Sequence, residues 1–535
     1  MVFYKDFMTT GDHSLNVFNA LSYCKEHGED SLVFEKGVYD FYPETASEDV
    51  MHVSNHDIYG IYRIAFLLKG MKDFTVDGGG ATFMFHGCIT PFYITASENI
   101  TIKNLTVDYS GILLLETIVR NVGEDFIDLE IESEDGYEIE RGMLYHTDIS
   151  GTRQPFRAFF VRSANDSLAY LETSRDHWSP GENICFEKTG EKTLRVKDPG
   201  IEVPVGTNLT LRAAYMRQAC NIVASHAKDV FVKDVTMLRG YAMGVLAQMT
   251  ENVTIEGMVV KAREGHLNSL DADATHFVHC RGLVKVTDSS FSEQLDDALN
   301  IHGIFTKIIA KTDDYILLRY MHEEAKGIDI YQAGDSFQTL DPKSLIPNGE
   351  YEIQKAEVVN MEITKLYVKG GTAAIRVGDV CEDLTWSTDL EFARNRVENN
   401  RARGMLVAAK GKVRIHDNYF HTTGVAILFE SDGQYWFESG GTNDVVIEKN
   451  TFENCRFTHT WGENVIEVLP REVYNEGEFY HQSIVIRENR FVGNTVPLIY
   501  ADNIRSLTIE KNVIEDPKCE KTHEIRNCGN VLCDL

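Results

Sequence analysis

Short runs with one apolar pattern recur along the chain. They read NITIKNLTV (99–107), DVFVKDVTM (229–237), NVTIEGMVV (252–260), LVKVTDSSF (283–291), KVRIHDNYF (412–420), DVVIEKNTF (444–452), SIVIRENRF (483–491) and SLTIEKNVI (506–514). In each, the second, fourth and ninth positions are apolar, and the fourth-position set is Ile102, Val232, Ile255, Val286, Ile415, Ile447, Ile486 and Ile509. Alternation over the first four residues is the period of a strand with one buried face. Near the sixth or seventh position stand Asn104, Asp234, Asp288, Asn418, Asn450, Asn489 and Asn512. Asn and Asp tolerate left-handed backbone and bond locally, so they suit a sharp bend before the ninth residue turns inward again.

Asp229 and Asn252 are 23 residues apart, as are Ser483 and Ser506. A unit of about that length with two or three short strands is one coil of a parallel β-helix. The leucine-rich consensus, the other repeat of this length, is absent. HSLNVFNALSYCKEHG (13–28) has apolar residues at helical spacing and predicts a helix capping the open end of the solenoid. Two stretches, 111–215 and 304–400, break the pattern with alternating runs such as DFIDLEIE (125–132), YILLRY (315–320) and MEITKLYV (361–368). They predict inserted small β-barrels or sandwiches. The expected layout is all-β: cap and first coils over 1–110, an insertion over 111–215, coils over 216–303, a second insertion over 304–400, and C-terminal coils over 401–535.

The formal charge of −30, from 82 acidic against 52 basic residues, repels phosphate backbones and anionic headgroups. It argues against nucleic acid and membrane partners and favours a neutral substrate. The N-terminal residues lack the apolar core of a signal peptide, which points to the cytoplasm, or to a secreted or periplasmic protein whose leader has been removed. Ten scattered cysteines show no metal-type spacing, and neither a metal nor another cofactor is expected.

Asp273 and Asp296 are 23 residues apart, as are His279 and His302. In coil register each pair would stack on neighbouring strands about 4.8 Å apart. Asp297 follows directly, and it shares the site with Asp296 only if the strand bends there. Three crowded carboxylates repel, which raises one pKa and suits a general acid beside a base, the pairing that glycoside hydrolysis uses. His276 and His302 flank the trio as candidate substrate contacts. A second cluster, ENNRARGMLVAAKG (398–411) with ILFESDGQYWFESG (427–440), brings Arg401, Arg403, Glu430, Asp432, Trp436 and Glu438 into apolar strand context. Charged groups on sugar hydroxyls with an indole on the apolar sugar face would hold a hexose. Asn55 and His56 in VSNHDIYG (53–60) read as turn residues and stay outside the expected site.

These segments resemble glycoside hydrolase family 110, the α-1,3-galactosidases acting on blood-group-B-type and linear α-1,3-galactosyl glycans. The motifs are VSNHD (53–57), TVDGGGATFMFHG (75–87), ITIKNLTVDY (100–109), DATHF (273–277), DDALNIHG (296–303), NNRARGMLV (399–407) and WFESG (436–440). The resemblance implies a right-handed parallel β-helix and removal of terminal galactose from an oligosaccharide or glycoconjugate; a homodimer is a candidate assembly that the sequence does not decide. The resemblance also implies an inverting, metal-independent reaction in which Asp296 is the acid and Asp273 and Asp297 are the bases. The competing readings are a related glycosidase of other sugar specificity, a pectate-lyase-like enzyme using calcium, and a non-catalytic glycan-binding β-helix.

Overall fold

The structure is a computed structural model of all 535 residues. It describes residues 1–55, 60–133, 135–162, 177–178, 181–213, 217–458, 461–469 and 477–535. Two long, mainly parallel sheets, of 21 and 13 strands, form the walls of a solenoid. The repeated segments pair in order along the larger sheet. Ile102 lies opposite Val232, Val232 opposite Ile255, and Ile255 opposite Val286, while Ile415, Ile447, Ile486 and Ile509 continue the row. All are buried in one apolar core. A ninth copy, DLEFARNRV (389–397), fits between them, with Phe392 opposite Val286 on one side and Ile415 on the other. The second insertion therefore ends before Thr388, not at residue 400. Phe392, Phe420, Phe452 and Phe491 stack one per coil, with ring centroids 6.2, 5.2 and 5.1 Å apart.

The turn asparagines divide into two kinds. Asn104, Asp234 and Asp288 have positive φ, as expected. In the later coils the left-handed residue is the one before, Asp417, Lys449, Glu488 or Lys511, which frees the asparagine for another task. Asn395, Asn418, Asn450, Asn489 and Asn512 stack as an interior ladder. Asn450 Nδ2 donates to Ile415 O at 2.9 Å and to Asn489 Oδ1 at 3.0 Å, while its Oδ1 accepts the Asn418 backbone N–H at 3.0 Å. Asn450→Ala leaves these buried groups unpaired, at about 1–3 kcal/mol each. Urea denaturation should show a loss of at least about 2 kcal/mol, and a loss under about 0.5 kcal/mol would make the ladder incidental.

The helix His13–His27 caps the first coil. Asp12 accepts the Ser14 N–H at its start, Gly28 ends it at φ 66°, and Val17, Ala20, Leu21 and Cys24 are buried against the end of the solenoid. None of the described helices is long and apolar enough to cross a membrane. Between coils the chain leaves the solenoid twice. Leu114–Val122 through Asn208–Ala213 build a nine-stranded sheet around Leu115, Val119, Phe159 and Leu211. Thr306–Lys311 through Val380–Asp383 close a six-stranded barrel around Ile308, Leu318, Phe337 and Leu366. The first insertion is pinned to the coils by a fully buried ion pair, Arg239 Nη2 to Asp135 at 2.7 Å.

Candidate active site

The smaller sheet carries the acidic residues at the entry to its strands. Thr275 pairs with Leu299, and Leu299 with Met405. This register offsets neighbouring coils by 24 residues here, not 23. The stacked pair is therefore Asp273 with Asp297, and one more coil brings Arg403 into the same row. The single-residue difference matters because side chains alternate faces along a strand. By the same offset Val278 lies opposite His302, so His279 and His302 do not stack as the 23-residue spacing suggested. His279 is buried with neither ring nitrogen hydrogen-bonded among the described residues, and burial pushes it down to about 3. Asp296 joins the site from one residue earlier because Leu295 and Asp296 form a bend.

Oxygens of Asp273, Asp296 and Asp297 lie within 4.8 Å of one another. That is closer than the separation of about 6.5–9.5 Å usual for inverting pairs, so distance alone does not carry the inversion expected from the resemblance. A divalent cation could bridge oxygens so spaced, but two guanidiniums already supply countercharge. Arg217 Nη2 donates to Asp296 Oδ2 at 2.8 Å. The Arg403 backbone N–H and Nε donate to Asp297 Oδ1 at 2.8 and 3.0 Å. Asp273 keeps its oxygens occupied too, with Oδ1 accepting the Asp297 N–H at 3.2 Å and Oδ2 2.6 Å from His276 Nδ1.

Burial, then the charges of Asp296 and Asp297, pushes the Asp273 carboxyl well above its usual range. Burial pushes Asp297 up to about 6 against the pull of Arg403, and Asp296 adds to the rise. A carboxyl raised from 3.8 to about 6 on folding binds its proton more tightly in the folded chain. Its stabilising contribution is full below the unfolded value and is lost as pH rises through the folded one. Between pH 4 and 6 the melting temperature of the parent should therefore fall relative to that of Asp297→Asn as pH rises. Identical dependences of melting temperature on pH would mean that Asp297 does not titrate there.

A cavity of about 540 Å3 opens over the trio. Asp273, Asp296, His276, Arg401, Arg403, Glu430, Asp432, Trp436 and Glu438 line it. Asp297, with no exposed surface, and His302 stand behind its wall. Two of the expected sugar contacts also have structural duties. Asp432 caps its own loop, accepting the Gln434, Tyr435 and Trp436 N–H groups. Arg401 lies between the rings of Phe160 and Trp461, at 4.7 and 4.8 Å, and bonds Leu295 O. Trp436, 42% exposed, sits at the rim against His322.

Other lining residues were not singled out in the sequence. Phe160, Arg157 and Arg212 come from the first insertion and Glu324 from the barrel, and no local pattern marks them. Trp461 lines the cavity with φ 61°, a backbone state rare for a bulky residue. Asn55, read as a turn residue, has positive φ and also lines the cavity. His56 lies outside the described residues.

Residues 358–532 match the model of the right handed beta helix region, and 315–381 match GLAA-B beta-barrel domain II. Alpha-1,3-galactosidase B of Phocaeicola vulgatus is 31% identical over 90% of this chain and 83% of its own length. Alpha-1,3-galactosidase B of Akkermansia muciniphila is 29% identical over 96% of this chain, which spans 66% of that protein, just under two thirds. Alpha-1,3-galactosidase A of Shewanella woodyi is 29% identical over 90% of this chain and 80% of its own.

Proposed function

The chain belongs to the family of the α-1,3-galactosidases A and B, and from that premise we propose that it is a glycoside hydrolase removing terminal α-1,3-linked galactose from glycans. The observation that carries the reading is the carboxylate trio at the base of a cavity lined by charged groups and indoles. The cavity is walled by Arg157 and Phe160 on the first insertion and by Glu324 on the barrel. Walls on both sides suit a chain end rather than a polymer passing through, which favours exo action. In this reading Asp296 protonates the departing oxygen while Asp273, backed by Asp297, takes a proton from water.

Asp273 has both oxygens hydrogen-bonded, and Asp297 is enclosed. Asp296 Oδ1 accepts no hydrogen bond among the described residues, and one oxygen serves as donor or nucleophile but not both. Inversion, the outcome that the family resemblance implies, is the stereochemistry put to the test. Proton NMR of the first sugar released from an α-1,3-galactosyl oligosaccharide should show β-galactose. An α-anomer would overturn inversion, and no galactose release would overturn the activity. A second reading exchanges the roles of Asp273 and Asp296. It is favoured by the raised Asp273 carboxyl and by the Arg217 guanidinium on Asp296.

A further inference from the structure

His276 and His302, marked in the sequence as sugar contacts, do something else in the fold. His276 Nδ1 lies 2.6 Å from Asp273 Oδ2, and His276 Nε2 lies 3.0 Å from His302 Nε2. His302 Nδ1 lies 2.7 Å from the Gly303 carbonyl oxygen. A carbonyl only accepts, so His302 Nδ1 carries a hydrogen. The Nε2 to Nε2 contact needs a second hydrogen, and the Nδ1 to carboxyl contact a third. An ionised Asp273 with two neutral imidazoles brings only two. All three side chains are almost fully buried, which penalises any bond left unmade.

We propose that Asp273, His276 and His302 form one titrating unit that holds a single shared proton, so the two histidines are positioning residues that set when Asp273 is a carboxylate. The unit rests on the galactosidase reading only for its use in catalysis. The proton moves by two coupled hops. Asp273 Oδ2–H passes to His276 Nδ1 while His276 Nε2–H passes to His302 Nε2. Asp273 is left anionic, His276 neutral and His302 cationic, with no change in total charge. Glu438 Oε1, 3.6 Å from His302 Nε2, stabilises that far end. With the proton there, Asp273 can accept one from water. With the proton at the near end, Asp273 is a neutral acid. Among the described residues the charged and titratable neighbours of Asp273 include Asp296, Asp297, Arg217, Arg403 and Cys220. Those of His302 include Glu438 and His279.

Two measurements test this. In the substrate-free full chain labelled at histidine, the ring resonances of His276 and His302 should titrate together with one midpoint, and two independent midpoints would overturn the shared proton. This readout needs no galactoside, so it separates failure of the unit from failure of the assigned activity. His302→Leu removes the acceptor for His276 Nε2–H, and the count then falls to what a carboxylate and one neutral imidazole supply. The limb of the kcat/KM pH profile set by loss of this proton should move down by a unit or more. His302→Gln, whose side-chain oxygen reaches the Nε2 position, should restore it. An unmoved limb in a folded His302→Leu protein, or equal shifts in both variants, would sink the proposal.

Discussion

Asp296→Asn should lower kcat/KM on an unactivated α-1,3-galactosyl oligosaccharide by about 10²–10⁴-fold, the usual worth of general acid–base help. The substitution keeps size and removes the proton. The amide oxygen can still accept from Arg217 as the protonated acid does, so binding should suffer less than turnover. A nitrophenyl leaving group departs as a stable anion and needs little protonation, so the loss on a nitrophenyl galactoside should be far smaller. Asp273→Asn supplies the comparison. If Asp296 is the donor, Asp273→Asn is slow on both substrate types, because water activation is needed by both. If the roles are exchanged, the leaving-group contrast moves to Asp273. Equal losses for both variants on both substrates would remove either residue from the donor's role. Chelator should leave the parent's rate unchanged.

Arg239→Met should destabilise the protein by about 3–5 kcal/mol, because it strands the buried Asp135 carboxylate. Asp135 is 5% exposed, and its remaining contacts include the Ile112 N–H at 2.6 Å. Arg239 Nε and Nη1 have no partner among the described residues, so the pair is an imperfectly compensated burial. The double variant Arg239→Met/Asp135→Leu should regain most of the loss, since two apolar groups of similar size need no hydrogen bonds. Urea denaturation followed by circular dichroism reads both. A single variant within about 0.5 kcal/mol of the parent, the range of ordinary surface changes, would show that the first insertion is held by its other contacts. Those include Glu116, which accepts from the Leu267 and Asn268 backbone N–H groups, and the Arg212 ion pair with Asp271.

The solenoid was legible because its signal is local and repeated: an inward apolar residue at a fixed position in each coil, with a bend after it. The ninth copy, 389–397, carries the same pattern and was hidden only by its position at the end of a long irregular stretch. The register at the trio was misread because coils vary by one residue. A difference of 23 joins Asp273 to Asp296, whereas the backbone pairing joins Asp273 to Asp297. What sequence spacing could not supply was the opposite wall. Arg217, Glu324, Arg157 and Phe160 reach the cavity from loops and insertions, and their neighbours in sequence share no pattern with it. The chemistry of Asp432 and Arg401 was also invisible from composition, because a residue that holds a loop and one that holds a sugar use the same groups.

The barrel separates, along the chain, two coils that touch in space. Asp273 and Asp297 precede it, and Arg403, which neutralises Asp297, follows it. During synthesis the two acids therefore emerge and can stack before their counterion exists. A folded barrel with adjacent ends, Thr306 opposite Cys381, spares the helix the entropy of a long open loop between those coils. In chain order, then, the acids of these coils stand without the Arg403 countercharge until the barrel and the strand entry after it have been made.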